Sequence, residues 1–495
     1  MHELKHECGV FGMLSKKGHN VYPNIYNGLL ALQHRGEDAC GIGTVDTSTR
    51  RVNYKKNVGH VPEYFFDPRT NQLRFLDFLK GELGLGHVRY VTEGDNDRES
   101  SQPFFAKDVR NGLLLEENGH IPEYERLKRI VEEQDHTYIG STCDAEVILR
   151  ILAINSRVHS GIFESVKQTM VDLNTGAYAI LFVTGEGQLV AFRDPYSIRP
   201  LCYHESEDFV AFASESCALY AAGLDLTGNV GPGEVMMIGK DGKLRRKEIL
   251  RKGYNPCSFE FIYFAFPDSV IDGLRVATFR RRVGEELAKR EYVEADALLF
   301  VPESSENAAN GYSSIRPMNR VQGLVKNRAI GRTFIARRGT NAEKVKMKLR
   351  VIPEEVAGKR LIVIDDSVIR GPTAKILIRL LRDAGASEVH MRIASPPAIS
   401  SCHSGIAIPT KKELLAGKFA SSEEEVEKNL EQIQKGVAKA IGADTVMYAT
   451  HENIKTAFAG AGFDPCMGCF KGKYPNPLLE QMIKSKQEKE QEGQV

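Results

Sequence analysis

Two rhythms of apolar and polar positions divide the chain. Up to about residue 250, short apolar runs recur at close intervals, cut by glycine: GVFGML, GIGTV, LGLGHVRYV, GLLLEENG, AYAILFV, LVAF, DFVAFAS and EVMMIG. Runs of this length bounded by turn residues predict strands. Between them, NIYNGLLALQHRG and TCDAEVILRILAIN have the apolar spacing of amphipathic helices. Strands before and after a helical layer predict stacked antiparallel sheets with helices outside. Further on, ADALLFVPE, NRVQGLV, RLIVIDD and EVHMRIA alternate with the helical patterns TFRRRVGEELAKREY and TAKILIRLLRDAGA. That alternation predicts βαβ units on a parallel sheet. The polar, turn-rich GKDGKLRRKEILRKGYNP is the passage between the halves. The expected fold is α/β in two domains, residues 8–245 and 246–475. A charged tail is expected at 476–495, and its end, IKSKQEKEQEGQV, reads as a solvated helix end or frayed tail.

The densest chemistry lies in LIVIDDSVIRGPTA, Leu361–Ala374. Its apolar run reads as a buried parallel strand and Gly371-Pro372-Thr373 as a tight loop opening a helix. Free N–H groups and the positive end of a helix dipole make such a loop a phosphate site. Asp365 and Asp366 at the strand tip can accept sugar hydroxyl protons or face a hard cation such as Mg²⁺. The same residues also suit an ordinary strand–turn–helix with solvated aspartates.

Length and composition narrow the class. At 495 residues two domains are the natural expectation. A formal charge of +1 gives neither a basic footprint for nucleic acid nor attraction to a membrane surface. MHELKHE at the start lacks an apolar signal core, and no run approaches a membrane span. A cytoplasmic enzyme is expected. Nine cysteines in this length do not suggest a disulfide scaffold. Cys40, Cys143, Cys202 and Cys217 sit among apolar or small residues and read as core. Cys466-Met467-Gly468-Cys469 has the spacing of a metal-gripping thiolate pair, for zinc or iron–sulfur alike.

Cys8 heads an apolar segment and is compatible with a purely structural role. Were residues 1–7 removed as a propeptide, it would carry a free α-amine with a pKa of about 8, able to deprotonate the neighbouring thiol. The segments that follow favour that reading. ALQHRGEDACGI, GHVRYVTEG, SQPF, ENGH and CDAEVI occur in the order seen in the glutaminase domain of class II amidotransferases, the N-terminal nucleophile type. GAYAILFV, AFRDPYSIRPL, ASESCAL and GPGE extend the likeness, and Leu361–Ala374 resembles the signature for phosphoribosyl pyrophosphate (PRPP). Over nearly its whole length the chain resembles the amidophosphoribosyltransferase family. The hexosamine and glutamate synthase types of amidotransferase would not explain a PRPP loop beside this cysteine set.

The resemblance implies an αββα N-terminal nucleophile hydrolase fold followed by a phosphoribosyltransferase domain. It implies a glycosyltransferase of the first committed step of purine synthesis. Cys8 would attack the glutamine amide, with Asn118 and the N–H of Gly119 as the oxyanion hole. Arg89 would hold the substrate carboxylate and Asp144 its ammonium group. PRPP would meet Lys326, Asp365, Asp366, Ser367, Arg370, Gly371 and Thr373. Mg²⁺ would lie near Ser304, Asp365 and Asp366. Cys257, Cys402, Cys466 and Cys469 fall at positions one branch uses for a [4Fe–4S] cluster. VPESSENAANGY resembles the pyrophosphate loop and KNRAIGRTFI a closing lid. Family membership also implies inhibition by purine nucleotides, internal passage of ammonia, and a homodimer or homotetramer.

Some positions depart from the family pattern. Pro372 stands in a phosphate loop that usually reads RGTT and removes an N–H from it. Phe266 replaces an arginine, Glu117 stands where the HNG segment has histidine, and Ala329 lies in an altered lid where Arg337 and Arg338 could supply phosphate contacts. Pro372, Phe266 and Ala329 favour a second reading: a paralogue that keeps the fold but acts as a regulatory or nucleotide-binding subunit.

Overall fold

The computed structural model describes residues 8–90, 96–107, 109–327, 349–405, 408 and 411–491, with side chains to 485. The expected propeptide, 1–7, and the lid positions Ala329, Arg337 and Arg338 lie outside the described residues.

Two antiparallel sheets form the first half. One has seven strands with Gly9–Ser15 at its centre, between Phe209–Ala213 and Leu83–Arg89. The other has six, with Ala177–Thr184 between Leu113–His120 and Gln188–Arg193. The sheets stack because their strands are apolar on both faces. In Gly9–Ser15, Val10 and Leu14 point between the sheets with Leu114, Leu181 and Phe212. Phe11 and Met13 point outward, under Ile25 and Leu29 of the helix Tyr22–Leu32. Leu115 and Phe182 likewise meet Ile148 and Leu152 of the helix Asp144–Val158 on the opposite exterior. Burial on both faces explains why these strands read as continuous apolar runs. Cys40, Cys143, Cys202 and Cys217 are all core residues, as expected.

The second half is built on a parallel sheet of Ala297–Phe300, Arg360–Asp365, Glu388–Ile393 and Thr445–Tyr448, in that spatial order. Leu361 and Val363 enter one apolar cluster, Ile362 and Ile364 the other, so helices cover both faces. The helices Val276–Lys289 and Glu306–Ile315 cross at Gly284 and Gly311. A Cβ on Gly284 would lie 1.8 Å from Ala308 O, and one on Gly311 1.8 Å from Arg281 O. Only glycine permits that approach.

Two expectations need correction. NRVQGLV does not join the parallel sheet. It touches the edge through Leu298, then Leu324–Lys326 leaves to pair antiparallel with Leu349–Val351. The boundary at 245/246 falls inside the strand Leu244–Glu248, which pairs with Glu234–Ile238 and completes the first domain. The charged tail at 476–495 is packed where it begins: Leu479 and Ile483 meet Tyr474, on a helix Pro477–Gln491 that agrees with the helix-end reading of its last stretch.

Buried charges join the halves. Arg193 donates two 2.8 Å hydrogen bonds to the carboxylate of Asp272, with both side chains at 1% exposure or less. Arg35, equally buried, joins Glu215 and Glu260. Among the described residues no helix is long and apolar enough to cross a membrane.

Candidate active sites

Cys8 opens the central strand of the first sheet, and strand pairing sets it beside Arg89. Gly9 pairs with Val88, and Arg89 closes the adjacent strand. The Cys8 carbonyl accepts a 2.9 Å bond from Arg35 Nε. Arg35 in turn donates to Glu215 Oε1 at 2.6 Å and to Glu260 Oε1 and Oε2 at 2.7 and 2.9 Å. The Cys8 thiol faces Tyr90 O at 3.8 Å. Burial pushes it up to about 11; Arg89 and Arg199 pull it down, while Glu117 adds to the rise. A thiol so placed needs a base before it can attack.

The other glutamine-site candidates converge on this point. Asp144 begins the helix Asp144–Val158, where the dipole favours a carboxylate. Its Oδ2 accepts Ile121 N at 2.8 Å and lies 3.3 Å from His120 Nδ1. Asn118 and Gly119 end the strand Leu113–His120. Asn118 is 1% exposed; its Nδ2 lies 3.3 Å from Ser214 Oγ, and its Oδ1 is buried without a hydrogen-bond partner. Glu117, in the family's histidine position, is buried on the opposite face of that strand. Burial, with the negative charge of Asp144, holds its carboxyl well above the usual range.

The second site forms at the C-terminal edge of the parallel sheet. Asp365 closes the strand Arg360–Asp365 and Asp366 follows it. Asp366 accepts hydrogen bonds from Ser304 and, at 2.7 Å, from Ser367. The pyrophosphate-loop candidate therefore meets the aspartate pair directly. Burial raises both carboxyls, and the charge of Asp366 raises Asp365 further. Two adjacent carboxylates, Asp366 buried and Asp365 half-buried, repel each other, and a divalent cation relieves that repulsion. Gly371, at φ 92°, turns the chain into the helix Pro372–Asp383. That conformation favours glycine. Pro372 takes the first helical turn, where a missing N–H harms no helical bond. Arg370 pairs with Glu413 at 3.3 Å, and Lys326 with Glu303 at 3.3 Å beside Ser304. Thr373 is exposed at the helix start.

The four metal-ligand candidates also gather. Cys257 and Cys466 face each other in a parallel bridge: Ser258 N donates to Cys466 O at 3.1 Å and Cys466 N to Pro256 O at 2.9 Å. Ile399 N and Ser400 N donate to Cys469 O at 3.0 and 3.1 Å, bringing the Cys402 loop alongside. Cys402 acts electrostatically on both Cys466 and Cys469. Among the described residues, no three of these sulfurs lie within 4.8 Å of one another.

Sequence reasoning missed Arg35 and Arg280 between the two sites and gave Phe266 no place there. Arg280 donates to the carbonyls of Phe261, Tyr263 and Ala265 at 2.8, 3.0 and 2.9 Å, and its charge acts on Asp366. These carbonyls belong to the turn of π-helix Glu260–Phe264 and its cap, and Arg35 holds the first residue of that turn. Phe266 packs edge-on to His34, ring centroids 4.5 Å apart, and its N–H donates to Glu215 at 2.8 Å. Phe266 was signalled by its departure from the family pattern, and Arg35 only by the HRG triplet around it.

Comparison with known proteins agrees with this geometry. A family model described as a glutamine amidotransferase domain matches residues 76–229. The amidophosphoribosyltransferase of Methanocaldococcus jannaschii is 37% identical over 488 residues, covering 95% of this chain and 98% of its own. That of Bacillus subtilis is 36% identical over 488 residues, covering 97% and 96%. A solved glutamine PRPP amidotransferase from B. subtilis, complexed with ADP and GMP, aligns with a TM-score of 0.82 at 34% identity, covering 95% of this chain and 98% of that one. With likeness of this degree over nearly the whole of both chains, the chain belongs to the amidophosphoribosyltransferase family.

Proposed function

We propose that the enzyme converts glutamine, PRPP and water to 5-phosphoribosylamine, glutamate and diphosphate in two half-reactions, one per domain. Cys8, freed by loss of residues 1–7, gives its thiol proton to its own α-amine and attacks the glutamine amide. Arg89 and Asp144 hold the substrate's carboxylate and ammonium, and Asn118 and Gly119 N–H stabilise the oxyanion. Collapse of the intermediate expels ammonia; water then hydrolyses the thioester to glutamate. In the second domain Gly371–Thr373 cradles the 5′-phosphate, Asp365 and Asp366 receive the ribose hydroxyls, and Ser304, Arg370 and Lys326 serve the phosphates. Ammonia passing between the domains attacks the anomeric carbon, and diphosphate leaves with the bonding pair. Mg²⁺, held by Ser304, Asp365 and Asp366, would neutralise charge on the diphosphate.

Cys257, Cys402, Cys466 and Cys469 would hold a [4Fe–4S] cluster that staples the end of the chain to the domain junction. The observation that carries the reading is the joint placement of Cys8 beside Arg89 and of Ser304 on Asp366. Purine nucleotides as inhibitors, a homo-oligomer and a cytoplasmic location belong to the same reading. The B. subtilis relative's ADP and GMP support the first. The regulatory-paralogue alternative has no support among the relatives, which carry the enzyme's name.

The test is pyrophosphate release by anaerobically prepared protein with glutamine and with ammonium as nitrogen donor. We expect release with both, loss of the glutamine-dependent rate alone in Cys8→Ser, and a mature N-terminus at Cys8. Glutamine hydrolysis without pyrophosphate release would overturn the transferase reading, and a mature chain beginning at Met1 the role of Cys8. Iron and acid-labile sulfide assays against zinc content decide the cluster.

A further inference from the structure

Ser214 is fastened to the strand that begins at the nucleophile. Its N–H donates to Val10 O at 3.0 Å, and its Oγ accepts Val10 N–H at 3.0 Å. Ser214 and Asn118 are each 1% exposed, and Asn118 Nδ2 stands 3.3 Å from Ser214 Oγ. The far atom of that amide, Oδ1, is buried with no partner. An unpaired polar atom in a site this dry is costly unless a ligand completes it.

The donor and acceptor inventory identifies what completes it. With Val10 N–H already on its oxygen, the Ser214 hydroxyl still has a hydrogen to give. If Asn118 points its nitrogen at Ser214, that hydrogen has no acceptor in the amide, and a carbonyl oxygen stands in the unpaired position, where the oxyanion reading needs a donor. Turning the amide by half a revolution repairs both faults. Oδ1 then accepts the Ser214 hydroxyl, and Nδ2 takes the unpaired position as a donor. Such amide orientations are assigned from the hydrogen-bond network.

We propose that Ser214 is a positioning residue for the glutaminase half-reaction: its hydroxyl, pinned by Val10 N–H, selects the Asn118 orientation that presents Nδ2 to the oxyanion. The inference rests on the reading of Asn118 as an oxyanion donor. As the Cys8 sulfur bonds to the amide carbon, the carbonyl π pair moves onto oxygen, and Nδ2–H meets the new charge. When that pair re-forms the carbonyl, the C–N bond breaks and ammonia leaves with the proton returned from the Cys8 amine. Ser214 touches neither the substrate nor the reacting atoms; it fixes which end of Asn118 they meet.

The test is a cycle of full-length, processed variants: S214A, N118A and the double variant, with the near-isosteric S214C as a second single. Each rate is read as glutamate release at saturating glutamine with PRPP present, divided by ammonia-dependent pyrophosphate release. That quotient normalises for folding and for the second domain. Removing an oxyanion donor costs about 10²–10³ in kcat. We expect S214A to lower the quotient roughly 10–10²-fold with the glutamine KM changed by less than about threefold, and S214C to fall between it and wild type. The double variant should be no worse than N118A, because an amide that is absent cannot be misoriented. If S214A and S214C keep the quotient within about twofold while N118A loses it, the inference fails and the oxyanion reading stands. If the two losses multiply, Ser214 acts through the Cys8 strand and the inference also fails. If N118A hydrolyses glutamine normally, the oxyanion reading itself falls.

Discussion

Replacing Asp272 with alanine isolates the buried charge pair between the two domains. Arg193 and Asp272 share two 2.8 Å charge-assisted bonds with essentially no solvent access. Each such bond is worth about 1.5–3 kcal/mol, and breaking a buried pair costs about 3–5 kcal/mol because the remaining charge is stranded. The loss here is moderated because Arg193 keeps the carbonyls of Ser197 at 2.9 Å and Val230 at 2.8 Å, with that of Arg199 close by. It is increased because Tyr254 OH loses its 3.1 Å acceptor. The balance is about 4 kcal/mol. For a domain of this size that corresponds to a fall in Tm of roughly 8–16 °C in the unfolding step that includes the junction. Near-UV circular dichroism and calorimetry read the shift, and limited proteolysis at 249–256 reads opening of the passage. An Arg193→Met, Asp272→Leu double variant should recover most of the loss, since an apolar pair carries no stranded charge. A Tm within about 2 °C of wild type for D272A would show that the pair is not dry in solution, and the argument would collapse.

Three further predictions follow from other sites. Pro372→Thr adds an N–H and a hydroxyl to the phosphate cradle and should lower the KM for PRPP roughly 3–10-fold, about one hydrogen bond; an unchanged KM would show that the phosphate does not reach this position. Glu291 is opposed by burial, but the hydrogen bond and charge of Arg392 hold its carboxyl down to about 2, so the pair's stability is complete above the ordinary carboxylate range and drains as pH falls toward 2. About 3 kcal/mol is at stake, and Glu291→Gln should flatten acid unfolding between about pH 4.5 and 2, whereas an unaltered acid limb would reject the linkage. Gly284→Ala should cost about 3 kcal/mol by forcing the Val276–Lys289 and Glu306–Ile315 helices apart, and should raise the KM for PRPP because the second of these helices follows Ser304; wild-type denaturation curves would contradict the 1.8 Å contact.

Local chemistry was legible in the residues, and long-range pairing was not. The run before Asp365 announced a buried strand because apolar residues on both faces leave a continuous signature. TCDAEVILRILAIN was readable as a helix, and Gly371-Pro372-Thr373 as the tight loop opening another. Adjacency of Cys8 to Arg89 depends on sheet register, which no local pattern encodes. The salt bridge from Arg35 to Glu260 joins residues on different domains. NRVQGLV failed as a parallel strand because its few apolar residues suit a short ribbon equally well. The packing of the C-terminal helix was not foreseen because Leu479 and Ile483 are sparse among charges, yet their four-residue spacing places both on one face.

The pairing of Cys257 with Cys466 also bears on how the protein is made. The first domain is complete once Glu248 is threaded into its sheet, and domains generally fold as they emerge. Its partner must wait for the segment around Cys466, whose backbone closes on Pro256 and Ser258, and for Phe470, which stacks on Phe259. At about 5–20 residues per second, the intervening stretch of about 220 residues takes roughly 10–45 s to synthesise. Until then the face of Phe259 that Phe470 covers stays open, next to a folded first domain. The nascent chain is therefore most exposed to chaperones and proteases late in translation, and a premature stop before Cys466 makes that exposure permanent.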